Sequence, residues 1–398
     1  MDILITNVFH PQLKCCTNLV LEADLIKQIS NADALKQSTY TEIIDGTGYT
    51  ILPSLIDCHA HLDKTVWGMD WYENKLGYHI TDRIDNERGA RKSLELDAYT
   101  QACRYIELSL SLGVQHMRSH VDIDTQNGLA GLVGVMEAAK QYKDLFDVEL
   151  VAFPQSGVMI RPGTYELLDE ALAMGADIIG GLDPAAIDRD PKGSLDAIFH
   201  LAQKHAKPVD IHLHEAAELG AFDMELIIER TKALGMQGLV SVSHAFCLGA
   251  NNPALVNPLL EKLQQQGITI ITAAQPGAAS VPPVKTLINA GVKICGGNDN
   301  VRDLWSPFGS GDILERIALI AMKNGFRRDE DLELTMELCT TRGAELLGLK
   351  DYGITEGSKA NFVLVKGKNL PESIVSYNKD RMVFRNGKMI RNSHPLGI

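Results

Sequence analysis

Short apolar, β-branched runs recur along the middle of the chain: GYTILPSLIDCHAH, GVQHMRSHVDID, VELVAFPQ, ADIIGGLDP, PVDIHLHE, LVSVSHAF, GITIITAAQP and GVKICGGND. Between them lie Ala-, Leu-, Glu- and Lys-rich stretches with helical spacing, such as YELLDEALAMG, SLDAIFHLAQKHAK and NPALVNPLLEKLQQQG. The first kind of run predicts strands and the second amphipathic helices. The pattern is eight strands, each followed by a helical segment. Continuous apolar strands joined by helical crossovers predict a parallel sheet covered on both faces. Eight such units favour an α/β fold, a closed (β/α)8 TIM barrel, over an open doubly wound sheet. No Gly-rich phosphate fingerprint follows the first strand, which weakens a nucleotide-binding reading.

The two ends differ from the middle. Residues 1–50 (ILITNVF, NLVLEADLIKQIS, TEIIDGTGYT) and 352–398 (ANFVLVKG, RMVFRNGKMI) alternate like short antiparallel strands with turns between them. They predict one small β-sandwich domain formed by both termini, with the barrel spanning 51–351.

Composition narrows the partners. Of 398 residues, 45% are hydrophobic and 22% charged, the balance of an ordinary globular chain. Against 38 basic side chains stand 51 acidic ones, a net charge of -13, which argues against nucleic acid or an anionic membrane as partner. The start lacks a basic leader, and no apolar run approaches the roughly 20 residues of a membrane span. A cytoplasmic protein is therefore expected. Seven cysteines, an odd number without CxxC spacing, read as reduced, buried thiols.

The chemistry gathers at the strand ends, where a barrel of this kind carries its site. Strand 1 ends in His59 and His61, strand 3 in Gln155, strand 5 in His212, His214 and Glu215, strand 6 in His244, and strand 8 in Asp299. Residues i and i+2 of a strand share a face, so His59 and His61 can close on one ion. Three imidazoles (His59, His61, His212) and the Asp299 carboxylate suit zinc or ferrous iron and leave a position for water. A two-metal site would want a bridging anion from a middle strand, usually a carboxylated lysine. Strands 3 and 4 end in Gln155 and Asp183-Pro184 instead, so one divalent ion per chain is expected. Glu215, where strand 5 gives way to a loop, is placed to move protons for a metal-activated water.

The motifs HAHLDKT, VAFPQSG, DIHLHE, SHAF and GGNDNVRD resemble the amidohydrolase superfamily, in the branch of cytosine deaminase and N-isopropylammelide isopropylaminohydrolase. The resemblance runs over nearly the whole chain, including DYGITEGSKANFVLV, where this superfamily re-enters its β-sandwich. It implies a mononuclear site ligated by His59, His61, His212 and Asp299, with Glu215 as proton shuttle. It also implies that His244 hydrogen-bonds the attacking hydroxide and that Gln155 reads the edge of a ring. Cytosine deaminase has a threonine and a second aspartate where this chain has Lys64 and Asn300, and GGLDPAA and NDNVRDLWSPFGSGD look like the triazine enzyme. His214 also resembles the triazine enzyme, whereas Glu215 is the cytosine-deaminase residue.

Lys64, His214, Asn300 and Trp305 are the further candidates for substrate contact, and His120 lines the pocket or is a hydrogen-bonded core histidine. The reaction expected is hydrolytic deamination of an amino- or alkylamino-substituted nitrogen heterocycle, cytosine- or ammelide-like, releasing ammonia or an amine. Hydrolysis of a cyclic amide by the same metal site is the alternative, followed by a metal-binding protein without activity. The superfamily often forms oligomers, so a homo-oligomer is an expectation, with no interface identified by the sequence.

Overall fold

The computed structural model describes residues 2–31, 40–75, 77, 79–275 and 277–390. The parts of the terminal β reading that fall on 32–39 and 391–398 lie outside the described residues.

The chain begins in strands: β1 (Asp2–His10), β2 (Cys15–Glu22), β3 (Leu25–Asn31), β4 (Glu42–Asp45) and β5 (Tyr49–Pro53). It returns to this layer with β14 (Phe362–Lys366), β15 (Arg381–Arg385) and β16 (Lys388–Met389). These eight strands are hydrogen-bonded as one sheet in the order β16-β15-β14-β5-β1-β2-β3, with β4 also paired to β1. The register of β1 shifts between Ile5 and Val8, where Asn7 takes a φ of 55°. Such a bulge bends a strand. The N-terminal half of β1 consequently pairs with β4 and its last turn with β5. Ile3, Ile5, Leu19, Leu21, Ile51, Phe362, Leu364 and Phe384 meet in a core separate from that of the barrel.

The run GYTILPSLIDCHAH, read as a single strand, is two. β5 pairs with β14 through Leu52 and Val363, and after Ser54 the chain enters the barrel as β6 (Leu55–Ala60). The other barrel strands are β7 (Val114–Asp122), β8 (Asp147–Phe153), β9 (Ile178–Leu182), β10 (Val209–His212), β11 (Val240–Ser243), β12 (Thr269–Thr272) and β13 (Lys293–Gly296). All pair parallel in sequence order, as the eight-unit pattern predicts. The nine residues of β7 are all buried, the signature of a strand covered on both faces.

The barrel closes between its first and last strands just past their regular ends. Asp299 N donates to His59 O at 2.7 Å, and Ala60 bridges Asp299 in parallel. Beneath them the buried Asp57 carboxylate accepts from Asn298 N at 2.9 Å and from its side-chain amide at 2.8 Å. Gly297 is required at this seam, because a Cβ there would collide with the backbone N of His59.

Helices cover the outside. The β6–β7 connection carries two, α1 (Ile80–Ser93) and α2 (Ala98–Ser111). Single helices follow in α3 (Ala130–Tyr142), α4 (Thr164–Met174), α5 (Pro191–His205), α6 (Ala217–Ala233), α7 (Pro253–Gln266) and α8 (Val284–Asn289). Four more follow among the described residues, α9 (Ile313–Lys323), α10 (Asp329–Glu337), α11 (Thr341–Leu346) and α12 (Leu370–Ser376). Among the described residues no helix is long and apolar enough to cross a membrane. Cys58, Cys247, Cys295 and Cys339 are buried free thiols, whereas Cys16 is exposed.

Candidate active site

Among the residues in the left-handed region at the strand tips are three with polar side chains, Asp183 (φ 30°), His244 (φ 70°) and Asp299 (φ 61°). Each conformation costs a side-chain-bearing residue about 1–3 kcal/mol and persists only where its surroundings hold it. Here the next strand does so. Asp183 N donates to His212 O at 3.0 Å, His244 N to Ile271 O at 2.8 Å, and Asp299 N to His59 O at 2.7 Å. The chain turns sharply at each tip, and the barrel's own ladder holds the turn.

Five imidazoles converge inside these tips. His59 lies 4.2 Å from His120, 4.6 Å from His212 and 5.0 Å from His244, centroid to centroid. Asp299 Oδ1 lies 3.4 Å from His59 Nε2 and 3.2 Å from His61 Nε2, and Asp299 Oδ2 accepts from Gln275 Nε2. All five rings are buried. Yet His59 Nε2, His61 Nδ1 and both nitrogens of His120, His212 and His244 have no hydrogen-bond partner. Burial holds His61, His212 and His244 well below the usual imidazole range and pushes His120 down to about 4. Burial also opposes ionisation of Asp299, but the adjoining His59, His61 and His244 imidazoles outweigh that and keep it well below the carboxylate range.

Unpartnered nitrogens of neutral imidazoles around a carboxylate are what a divalent cation satisfies. Among the described residues three groups bring their donor atoms within 4.8 Å of one another: His59, His61, His120 and His212; His59, His244 and Asp299; and His61, Asp63 and Asp122. The donor set fits a metal of borderline softness. One tautomer is fixed as well. Ser243 Oγ donates to Asp210 Oδ1 at 2.9 Å, so it accepts from His59 Nδ1, 2.9 Å away. That leaves the lone pair of His59 on Nε2, the nitrogen facing Asp299. Arg118 steadies Asp210 from below at 2.9 Å.

Beside this cluster stand two titratable groups, His214 and Glu215. Asp183 Oδ1 accepts from His214 N at 2.6 Å, and Asp183 Oδ2 lies 2.7 Å from His214 Nδ1. The His214 ring stacks on His244 at 4.2 Å. Burial lowers its pKa, but the Asp183 charge more than offsets this and the net shift is upward. Glu215 Oε1 accepts from Ala186 N at 2.6 Å, and its Oε2 is buried without a donor. Burial, the adjoining Asp223 carboxyl and the Asp183 charge push the Glu215 carboxyl up to about 9.

A third group surrounds Lys64. The ammonium is buried, donating to Gln155 Oε1 at 2.6 Å and to Asp122 at 3.2 and 3.3 Å, with Glu87 at 3.7 Å. It lies 5.5 Å from the centroid of the Trp305 ring, whose Nε1 donates to Glu87 at 2.6 Å. From α1, Arg91 joins Asp63 and Asp122 at 2.8 Å each. Asn300 donates to Asp303, whose carboxylate also accepts from the backbone of Trp305 and Ser306.

Lys64, Gln155 and Trp305 therefore form one connected group, while Asn300 is tied to Trp305 only through Asp303. Sequence reasoning placed Asp183 at the end of strand 4 but gave it no part in the site, and it missed Asp223, Gln275 and Glu87. Asp183 and Gln275 sit at strand ends and carried that positional signal, whereas Glu87 and Asp223 lie on helices and carried none. His120, left between pocket and core, has both nitrogens unpartnered inside the cluster and lies 3.6 Å from Asp210.

Comparison with known proteins agrees with this architecture. Residues 85–390 match the model of an amidohydrolase family. The N-isopropylammelide isopropyl amidohydrolase of Pseudomonas sp. (strain ADP) is 27% identical, over 98% of this chain and 97% of its own length. The crystal structure of N-isopropylammelide isopropylaminohydrolase from Burkholderia multivorans ATCC 17616 superimposes with a TM-score of 0.91 at 41% identity, covering 98% of both chains. That of 5-methylcytosine deaminase from Klebsiella pneumoniae, liganded with 5-fluorocytosine, does so at 0.83 and 27%, covering 98% of this chain and 97% of that one. A family match over more than half the chain, on a barrel with histidines and an aspartate at its strand tips, identifies the protein as a member of the amidohydrolase family.

Proposed function

We propose that the protein is a metal-dependent hydrolytic deaminase of an amino- or alkylamino-substituted nitrogen heterocycle. The observation that carries this reading is the set of unpartnered, buried imidazole nitrogens gathered around the Asp299 carboxylate. His59, His61, His212 and Asp299 would hold one ion per chain, zinc or ferrous iron. When bound there, it supplies a water acidified to near neutrality.

The chain's own groups do the rest. Asp299 and His244 orient the water, and Glu215 gives a proton to the ring nitrogen next to the attacked carbon. The carboxylate left behind takes the proton of the adduct's hydroxyl as the carbonyl forms and passes it, directly or through His214, to the amino nitrogen, which leaves as ammonia or an amine. Gln155, its carbonyl oxygen held by Lys64, has its NH2 left for a carbonyl or nitrogen of the ring. Trp305 supplies a flat apolar face and Asn300 a polar group at its edge. The relatives act, by their names, on N-isopropylammelide and 5-methylcytosine, so a ring of that size is the substrate proposed. The resemblance in Lys64 and Asn300 favours the ammelide side. The two separate apolar cores support treating the terminal β layer and the catalytic barrel as two units.

The test is metal-analysed protein assayed for ammonia or amine release from cytosine, 5-substituted cytosines, ammelide and N-alkylammelides. Glu215→Gln should cut turnover about 10²–10⁴-fold with metal content unchanged, and His212→Ala should lose metal and activity together. Near-normal turnover in the first, or full metal in the second, removes that residue from its role.

A further inference from the structure

Glu215 does not stand alone. We propose that Asp223, on α6, shares a single proton with Glu215, so that the pair carries one negative charge at neutral pH and Glu215 meets the substrate as an acid. The acid role rests on the deaminase reading above; the shared proton does not.

The geometry is that of two carboxyls clamped side by side. Consecutive amides hold their outer oxygens: Ala186 N donates to Glu215 Oε1 at 2.6 Å and Ala185 N to Asp223 Oδ2 at 3.0 Å. The other two oxygens, Glu215 Oε2 and Asp223 Oδ1, are buried and receive no N–H or O–H. Gly220 lets the start of α6 close on this point, since a Cβ there would collide with the carbonyl of Glu215. One turn later α6 delivers Asp223, which is fully buried. Two buried carboxylates side by side repel, and one oxygen of each lacks a donor; one proton between those oxygens removes both costs.

The surroundings push the same way. From the end of β9, Asp183 adds a third carboxylate that disfavours ionisation of both. From the turn after β11, the Cys247 thiol is pushed up to about 12 by burial, with Glu215 and Asp223 adding to the effect. His214, the imidazole next in sequence, is committed to Asp183 at 2.7 Å. Among the described residues no Lys or Arg bonds to either carboxyl. Asp223 is thus a positioning residue, acting through the protonation of Glu215.

Infrared spectra of the metal-loaded protein at neutral pH test the pair without any substrate. In wild-type-minus-variant difference spectra one carboxylic-acid carbonyl band should appear for both Asp223→Asn and Glu215→Gln, because either change leaves one carboxyl free to ionise. The lack of that difference band for either substitution overturns the sharing. In the wild type alone, the band should fade as pH rises through about 9; a band missing at neutral pH, or unchanged across that range, overturns it too. If a substrate is found, Asp223→Asn should move the alkaline limb of kcat/KM from about 9 to below neutrality, more than about two pH units and so more than about a hundredfold in the ratio of the two forms, at unchanged metal content. An unmoved limb overturns the positioning role. If nothing is deaminated, the function reading fails while the band still decides the pair.

Discussion

Asp299 and His59 are joined twice: the Asp299 backbone N–H donates to His59 O at 2.7 Å, and Asp299 Oδ1 lies 3.4 Å from His59 Nε2. The bond that closes the barrel and the contact that builds the candidate metal centre belong to the same two residues. Anything that opens the seam therefore pulls two candidate ligands apart.

Gly297→Ala is the least change that does so, because its Cβ meets the His59 backbone. The variant should melt earlier and bind less than one metal per chain. Calorimetry with metal analysis checks this, and a wild-type metal content would separate the seam from the centre.

Ser243 fixes the tautomer of His59 by donating its own O–H to Asp210, which leaves it to accept from His59 Nδ1. Ser243→Ala frees the ring to flip or change tautomer. Removal of such an orienting partner costs about 10–100-fold in metal affinity, readable by competition with a chelator.

Lys64→Met removes the donor that holds Gln155 and leaves Arg91 as the remaining cation beside Asp122 and Glu87. Loss of a positioned reading group costs about 10²-fold. The drop should appear in kcat/KM with the metal retained; a loss of metal instead would make Lys64 part of the centre's support.

Asp124 makes a pH-dependent contribution to stability. Its carboxylate accepts from Gln126 N at 2.7 Å and Asn127 N at 2.9 Å, and holds Arg88 of α1 at 2.7 Å and Ser156 at 2.9 Å. Burial raises its pKa, but these bonds outweigh it and the net shift is downward. A carboxyl lowered in the folded state stabilises fully above its unfolded pKa, about 4, and loses that contribution as pH falls through the folded value. The stability gap between wild type and Asp124→Asn should thus be constant near neutrality and shrink as pH falls below about 4. Denaturant titrations at several pH values measure it. A gap that does not narrow in acid contradicts the ionised clamp.

The strand ends were legible because a parallel barrel puts its site at one rim, so a polar residue closing an apolar run already has an address. That logic found His59, His61, His212, His214, Glu215, His244 and Asp299 and brought them to one rim. It could not show that His214 answers to Asp183, or Glu215 to Asp223, since those pairs form across strands and helices with no fixed spacing. The division of GYTILPSLIDCHAH between two sheets was hidden for a different reason: both halves are apolar and buried, and only Pro53 and Ser54 mark the break. The charged helix α1 carried no apolar stripe to reveal that Glu87 and Arg91 face inward.

The most direct test of the central claim is to run the reaction in heavy-oxygen water and weigh the heterocyclic product. Hydrolytic deamination predicts an intact ring carrying one solvent oxygen for each ammonia or amine released, with both lost when the metal is removed. A ring-opened product, or an intact product without solvent oxygen, would contradict the account.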